Sequence, residues 1–171
     1  VDLNYWYDDG SLYGQDYTAI FDATYYANKY PDVKEAYGTS ASALLNHFIN
    51  KGMDEARQGC EEFDVVSYRL QYADLRKSYG NNLRQYYIHY MKYGKKEGRV
   101  GTGCTKLQGV ATVYNGVNYS AVYDYSYYVS KYNDVYKAYG LNDTAVLAHF
   151  ENSGLKEGRQ GNAKFNLQSY I

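Results

Sequence analysis

The chain is poor in aliphatic residues. Leu, Ile, Val and Phe make up 33 of its 171 residues, a share that reads as disorder in a highly charged chain. Excess charge is lacking too: 18 Lys and Arg stand against 19 Asp and Glu, for a formal net charge of −1. That balance argues against a DNA-wrapping or polybasic membrane protein, and no nucleic-acid partner is expected. No apolar run approaches the roughly 20 residues of a membrane span, so no direct membrane insertion is expected. The first residues carry no signal-peptide pattern. Cysteine is limited to Cys60 and Cys104, neither in a Cys-x-x-Cys pair, which argues against a metal site built on them. What is abundant is tyrosine, with 25 residues. Tyrosine therefore has to supply much of the core. The length suits one compact domain, or a few small repeats packed together.

Three segments align without gaps, at offsets of 42 and then 60 residues. The first carries Phe21-Asp22, Tyr26, Tyr30, Asp32, Tyr37-Gly38, His47-Phe48, Gly52, Glu55 and Arg57. The second carries Phe63-Asp64, Tyr68, Tyr72, Asp74, Tyr79-Gly80, His89-Tyr90, Gly94, Glu97 and Arg99. The third carries Tyr123-Asp124, Tyr128, Tyr132, Asp134, Tyr139-Gly140, His149-Phe150, Gly154, Glu157 and Arg159. A period of this size marks a repeat architecture. Gly14 to Ile20 matches Gly116 to Val122, and Gly161 to Tyr170 matches Gly59 to Tyr68. The chain is thus expected to be part of something longer, ending just inside a fourth repeat.

Each repeat reads as three short helices. Asp22 is a good N-cap for a helix over about 23–29, because its carboxylate accepts orphan N–H bonds. Pro31 suits the first turn of a second helix, which Gly38 ends. Thr39 or Ser40 caps a third helix that runs to about Lys51 and stops at Gly52, with Leu44, Leu45 and Phe48 at core spacing. Asp64 and Asp124 are the later caps, and Gly80, Gly94, Gly140 and Gly154 the later stops. Val110 to Tyr114 and Val117 to Ser120 flank Asn115-Gly116, the strongest short hairpin signal. Tyr5 to Tyr13 reads similarly around Asp9-Gly10. The expected fold is mainly α: tandem three-helix repeats of about 42 residues each, with one or two small β-hairpins. The expected organisation is an N-terminal hairpin segment over 1–20, repeats over 21–60, 61–104 and 123–160, a hairpin linker over 105–122, and the start of a fourth repeat over 161–171.

Cys60 and Cys104 bracket the second repeat. If the ends of a repeat lie close together, these two form a disulfide. It would close a loop of about 44 residues, contribute about 4 kcal/mol and imply an oxidising compartment. The alternative is two unrelated thiols. His47, His89 and His149 share one repeat position, and a catalytic constellation would be unique, not triplicated. They read as partly buried residues bonding a neighbouring loop or carboxylate; a metal ligand would need further ligands on that face. Glu55/Arg57, Glu97/Arg99 and Glu157/Arg159 read as ion pairs or caps. Asp32, Asp74 and Asp134 read as helix-start residues. No nucleophile elbow, phosphate loop or His-Glu-x-x-His is present. The chain reads as non-enzymatic, with no catalytic residues, metal or cofactor.

Binding remains. Sixteen tyrosines occupy repeated positions and are core or inter-repeat contacts. Nine do not: Tyr5, Tyr7, Tyr13, Tyr86, Tyr87, Tyr93, Tyr114, Tyr125 and Tyr136. Tyr93 stands where the sister repeats have Lys51 and Ser153, and Ile88 where they have Asn46 and Ala148. Tyr136 also stands where they are polar. Such residues are candidate exposed anchors, since Tyr buries much area at low entropy cost. Tyr86 and Tyr87 join the candidates but align with Leu44/Leu45 and Val146/Leu147, so core packing is equally open to them.

The text Phe-Asp-x-x-Tyr-Tyr-x-x-x-Tyr-Pro-Asp-Val over Phe21 to Val33, then Ala-Tyr-Gly at Ala36 to Gly38, then His-Phe-x-x-x-Gly-x-x-Glu-Gly-Arg over His149 to Arg159, resembles a helical repeat of secreted and wall-attached proteins of Gram-positive gut bacteria. Such repeats accompany wall hydrolases and adhesins, and are similar to those of immunoglobulin-binding, B-cell-superantigen-type surface proteins of gut commensals. The chain departs from the pattern at Ala56, where the other copies have Gly98 and Gly158, and at Ala73 and Asn133, where the first has Pro31. Tyr5 to Leu12, with Trp6 at its centre, resembles part of a choline- or glucan-binding hairpin repeat.

The resemblance implies a secreted or surface-attached module. Its first expected partner is a host protein, specifically an immunoglobulin bound through Fab. The alternatives are a glycan or cell-wall ligand, reached through the unpaired aromatics and Trp6, and a spacer with no ligand. Any ligand surface is expected on the second repeat or its junction with the third.

Overall fold

A computed structural model of the chain describes residues 6–7, 11–12 and 15–166. It is mainly helical, with nine helices among the described residues in three similar groups. The first group is α1 (Ala23–Lys29), α2 (Pro31–Tyr37) and α3 (Ala41–His47). The second is α4 (Val65–Gln71), α5 (Ala73–Tyr79) and α6 (Leu83–His89). The third is α7 (Tyr125–Lys131), α8 (Asn133–Tyr139) and α9 (Asp143–His149).

The caps follow the side chains. Asp22 accepts from the Tyr25 amide and Asp124 from that of Tyr127, satisfying amides the first turn leaves orphaned. Ser40 caps α3. Gly38, Gly80 and Gly140 take φ values of 71°, 56° and 55°, a left-handed region open to glycine at little steric cost.

The third helix of each group reaches its expected glycine, but not as one regular α-helix. It widens into a π-helical turn: Phe48–Gly52, Tyr90–Gly94 and Phe150–Gly154. The chain continues in right-handed helical conformation at Met53, Lys95 and Leu155. These glycines are needed for space. A Cβ on Gly52, Gly94 or Gly154 would run into the hydroxyl of Tyr26, Tyr68 or Tyr128.

The linker hairpin pairs β4 (Val113–Tyr114) with β5 (Val117–Asn118), antiparallel. Asn115 and Gly116 both have positive φ, 49° and 78°, as a type I′ turn requires. At the N-terminus β2 (Ser11–Leu12) lies between β1 (Trp6–Tyr7) and β3 (Gln15–Asp16). The expected hairpin thus gains a third strand; its Asp9-Gly10 turn lies outside the described residues. So do Ser169 and Tyr170 of the expected fourth repeat.

The described chain forms two compact units. One holds the residues up to Gln71 together with Asn82–Lys106, the other Tyr72–Asn81 and the residues from Leu107 onward. The units do not follow the repeats, since α5 belongs to the second. Aromatics fill both cores. Tyr26, Phe48, Phe63, Tyr68, Tyr86 and Tyr87 are fully buried in the first, and Tyr128 and Phe150 anchor the second. One edge-to-face pair recurs: Tyr26–Phe48, Tyr68–Tyr90 and Tyr128–Phe150, each with centroids 5.3 Å apart, a geometry ring quadrupoles favour.

Each repeat closes on itself. The amides of Asp22, Asp64 and Asp124 donate to the carbonyls of Gly59, Gly101 and Gly161, each at 2.9 Å.

Candidate functional site

The polar residues that recur are bonded to one another. The hydroxyls of Tyr26, Tyr68 and Tyr128 pair with Nδ1 of His47, His89 and His149 at 2.8, 2.8 and 2.9 Å. The Nδ1 partner is thus a tyrosine hydroxyl, where a loop or carboxylate was expected; at His89 a carboxylate is near as well, with Glu97 Oε1 3.8 Å from Nε2. Burial, and then the Arg57 charge, hold His47 below its ordinary value. Burial raises the Tyr26 and Tyr128 hydroxyls.

Arg57 grips Asp32 with two hydrogen bonds, 3.0 and 2.7 Å, and Arg159 grips Asp134 with two at 2.9 Å. Each guanidinium also lies 4.8 Å from a ring centroid, of Tyr30 and Tyr132 respectively, a cation–π geometry. The hydrogen bond from arginine holds Asp32 and Asp134 below the usual carboxylate range. Arg57, Arg99 and Arg159 also pair with Glu55, Glu97 and Glu157, as expected. In the first and third repeats the Asp–Arg pairs tie the second helix to the segment after the π turn.

Cys60 and Cys104 are both free thiols, which corrects the expected disulfide. Each has its own place. The Cys60 thiol points to the Ala19 carbonyl at 3.7 Å. Its third-repeat counterpart, Asn162, makes the same link to Ala121 at 3.0 Å. The Cys104 amide donates to Ser67 Oγ at 2.8 Å, and its thiol turns to the Lys106 carbonyl at 3.1 Å. Cys60 therefore serves a repeat position, and the inference of an oxidising compartment loses its basis. Among the described residues no group of three His, Cys, Asp or Glu forms a metal site, and no helix is long and apolar enough to cross a membrane.

Tyr86 and Tyr87 are both fully buried, which corrects their place among the candidate anchors. They follow Leu44 and Leu45 into the core. The Tyr87 hydroxyl donates to the Arg57 carbonyl at 2.5 Å, and the Arg69 guanidinium lies 5.8 Å from the Tyr86 ring. Among the described residues Tyr93 is the most exposed of the large apolar side chains, at 59%, and Tyr136 is 46% exposed. Tyr93 lies in the π turn after α6, 5.8 Å from the His89 ring. Ile88, on α6, is half-buried. Tyr136 lies on α8. The backbone of Trp6 pairs in β1; its side chain lies outside the described residues.

Two features escaped the sequence. One is a buried ion pair in the second unit, Arg76 Nε to Asp143 Oδ1 at 3.0 Å, with side chains 0% and 3% exposed. Asp143 also accepts from the Ala111 amide at 2.8 Å, and Arg76 donates to the Gln108 carbonyl. Arg76 shares its repeat position with Lys34 and Tyr136, and Asp143 shares its own with Ala41 and Leu83. The paired departure from both counterparts was the available signal.

The other is a cleft of about 630 Å³ in the second unit, between the approach to β4, the start of α7 and the segment after Gly161. Tyr123 lines it. This residue is 3% exposed, and its hydroxyl has no hydrogen-bond partner among the described residues. Its counterparts are Phe21 and Phe63.

The fold and these surfaces define a mainly α tandem-repeat protein with a tyrosine-rich core. Comparison with protein-family models, curated proteins and solved structures finds no match.

Proposed function

We propose that this chain is a non-enzymatic binding module of a secreted or surface-attached protein, and that it recognises a host protein through the surface around Tyr93. The observation that carries this reading is the exposure of Tyr93. An aromatic ring 59% open to solvent replaces Lys51 and Ser153 of the sister repeats. Folding does not require it there, and amphipathic aromatics are the usual anchors of protein recognition. The half-buried Ile88 adds apolar surface on α6. The recurring polar groups support a scaffold role, because the Tyr–His pairs of all three repeats and the Asp–Arg pairs of the first and third are engaged with one another.

Immunoglobulin is the first partner to test, on the resemblance of the repeat text to superantigen-type surface proteins. Polyclonal Fab and Fc fragments are passed over the immobilised chain. Fab is retained and Fc is not. Tyr93→Lys, the residue of the first repeat, weakens retention by about tenfold or more, the scale of an interface anchor, with no change in thermal unfolding. Failure to retain Fab overturns the immunoglobulin reading. Equal retention by the variant overturns the role of Tyr93.

A further inference from the structure

The turn that carries Tyr93 differs from its sisters in charge as well. From Met91 to Arg99, Lys92, Lys95, Lys96 and Arg99 stand against Glu97 alone. In the first repeat Lys51 and Arg57 balance Asp54 and Glu55, and in the third Lys156 and Arg159 balance Glu151 and Glu157. The backbone frame does not change with them. The amides of Arg57, Arg99 and Arg159 reach the carbonyls of Gly52, Gly94 and Gly154 at 2.9, 2.9 and 2.8 Å. Folding therefore does not ask for the added charge.

Lys95 shows this most clearly. Its counterparts are Met53, 1% exposed, and Leu155, which packs against the core of the second unit. The three residues share one backbone conformation, with φ of −62°, −61° and −62°. A lysine there forgoes the burial of an apolar side chain. Val100 is a converse case. It is 56% exposed, where Gln58 and Gln160 accept from Lys29 and Lys131 at 2.7 Å.

The Glu97 amide donates to the Tyr93 carbonyl at 3.0 Å, so the chain is still helical there. Lys96 lies three residues after Tyr93 and four after Lys92, and such positions share one side of a helix. Nearby carboxylates are Glu62, 3.5 Å from Lys95, and Glu97, 3.0 Å from Arg99. Among the described residues Lys92 and Lys96 take part in no ion pair. Glu62 and Glu97 oppose a dense polyanion such as heparin, a nucleic acid or an anionic membrane, and the whole chain carries a net −1. Two unpaired cations beside an exposed ring and an exposed valine match an apolar pocket rimmed by carboxylates on a protein.

We infer, resting on the reading of this face as a protein-binding surface, that its partner presents Asp or Glu side chains to Lys92 and Lys96 around the pocket that takes Tyr93. The test titrates the full chain with a deca-glutamate peptide at low salt, following backbone amide NMR shifts. Residues of 91–100 shift at millimolar concentration, and the sister turns over 49–57 and 151–159 do not. Lys92→Glu with Lys96→Glu abolishes the shifts without changing thermal unfolding, and slows association with retained Fab by about tenfold, the scale of lost electrostatic steering. Absence of shifts, or equal shifts at all three turns, overturns the inference. So does retained Fab whose association rate ignores both the double variant and added salt. A heparin decasaccharide that binds this turn more tightly than the peptide overturns the choice of protein carboxylates. Failure to retain Fab while the peptide shifts persist overturns the immunoglobulin reading and supports the acid preference.

Discussion

Ala56 has a φ of +60°, beside +75° at Gly98 and +70° at Gly158. The first repeat makes the same turn as its sisters without the residue that makes it easily. Left-handed conformation costs an L-residue about 1–2 kcal/mol, and glycine gives back about 0.5–1 in unfolded-chain entropy. Ala56→Gly should therefore raise stability by about 0.5–1 kcal/mol, read as a higher urea midpoint at an unchanged slope. The departure was visible in the repeat alignment; whether the turn survived it was not. Gly52, Gly94 and Gly154 are a second case. Their spacing reads as helix stops, yet each is a gap that admits a tyrosine hydroxyl. A glycine required by a neighbour more than twenty residues away in sequence looks the same in the text as one required by its own φ.

At the scale of elements, α5 and α9 of the second unit meet through Arg76 and Asp143. The pair is buried and doubly supported, so removing one partner strands the other's charge. Asp143→Ala, the residue of the first repeat, should lose about 3–5 kcal/mol by chemical denaturation, whereas Arg76→Met with Asp143→Leu should lie near the parent. If the single variant lost less than the double one, the pair would not be holding this junction. The helices themselves were legible, because caps, Pro31 and the turn glycines are local signals. The π turns were not, since no residue in them advertises a widened helix. The Cys60 position was legible in principle: it aligns with Thr102 and Asn162, small polar residues, which a thiol replaces as a weak donor.

Across the whole molecule, acid weakens the fold in two stages. His47 is held below its ordinary value of 6.5, so the unfolded chain takes up a proton there before the folded one does. Stability contributed by the neutral ring is present above 6.5 and declines as pH falls below it. Asp32 and Asp134 are held below 3.8 by arginine, and their contribution is lost as pH falls from 3.8 through their folded values. Melting temperature against pH should show both declines, and His47→Gln should flatten the first and leave the second.

Repetition, local capping and the Asn-Gly turn were written in the order of residues, because each depends on neighbours a few positions away. The division of the 25 tyrosines was only half written there. Alignment could set Tyr86, Tyr87 and Tyr93 apart from the repeated sixteen, but it could not say which faced water. Burial is a property of the folded surface: it put Tyr86 and Tyr87 in the core and left Tyr93 outside. The free thiols, the Arg76–Asp143 pair and the unpartnered hydroxyl of Tyr123 belong to the same class. Each is decided by which distant segment arrives beside it, and a linear text carries that information only through the packing it produces.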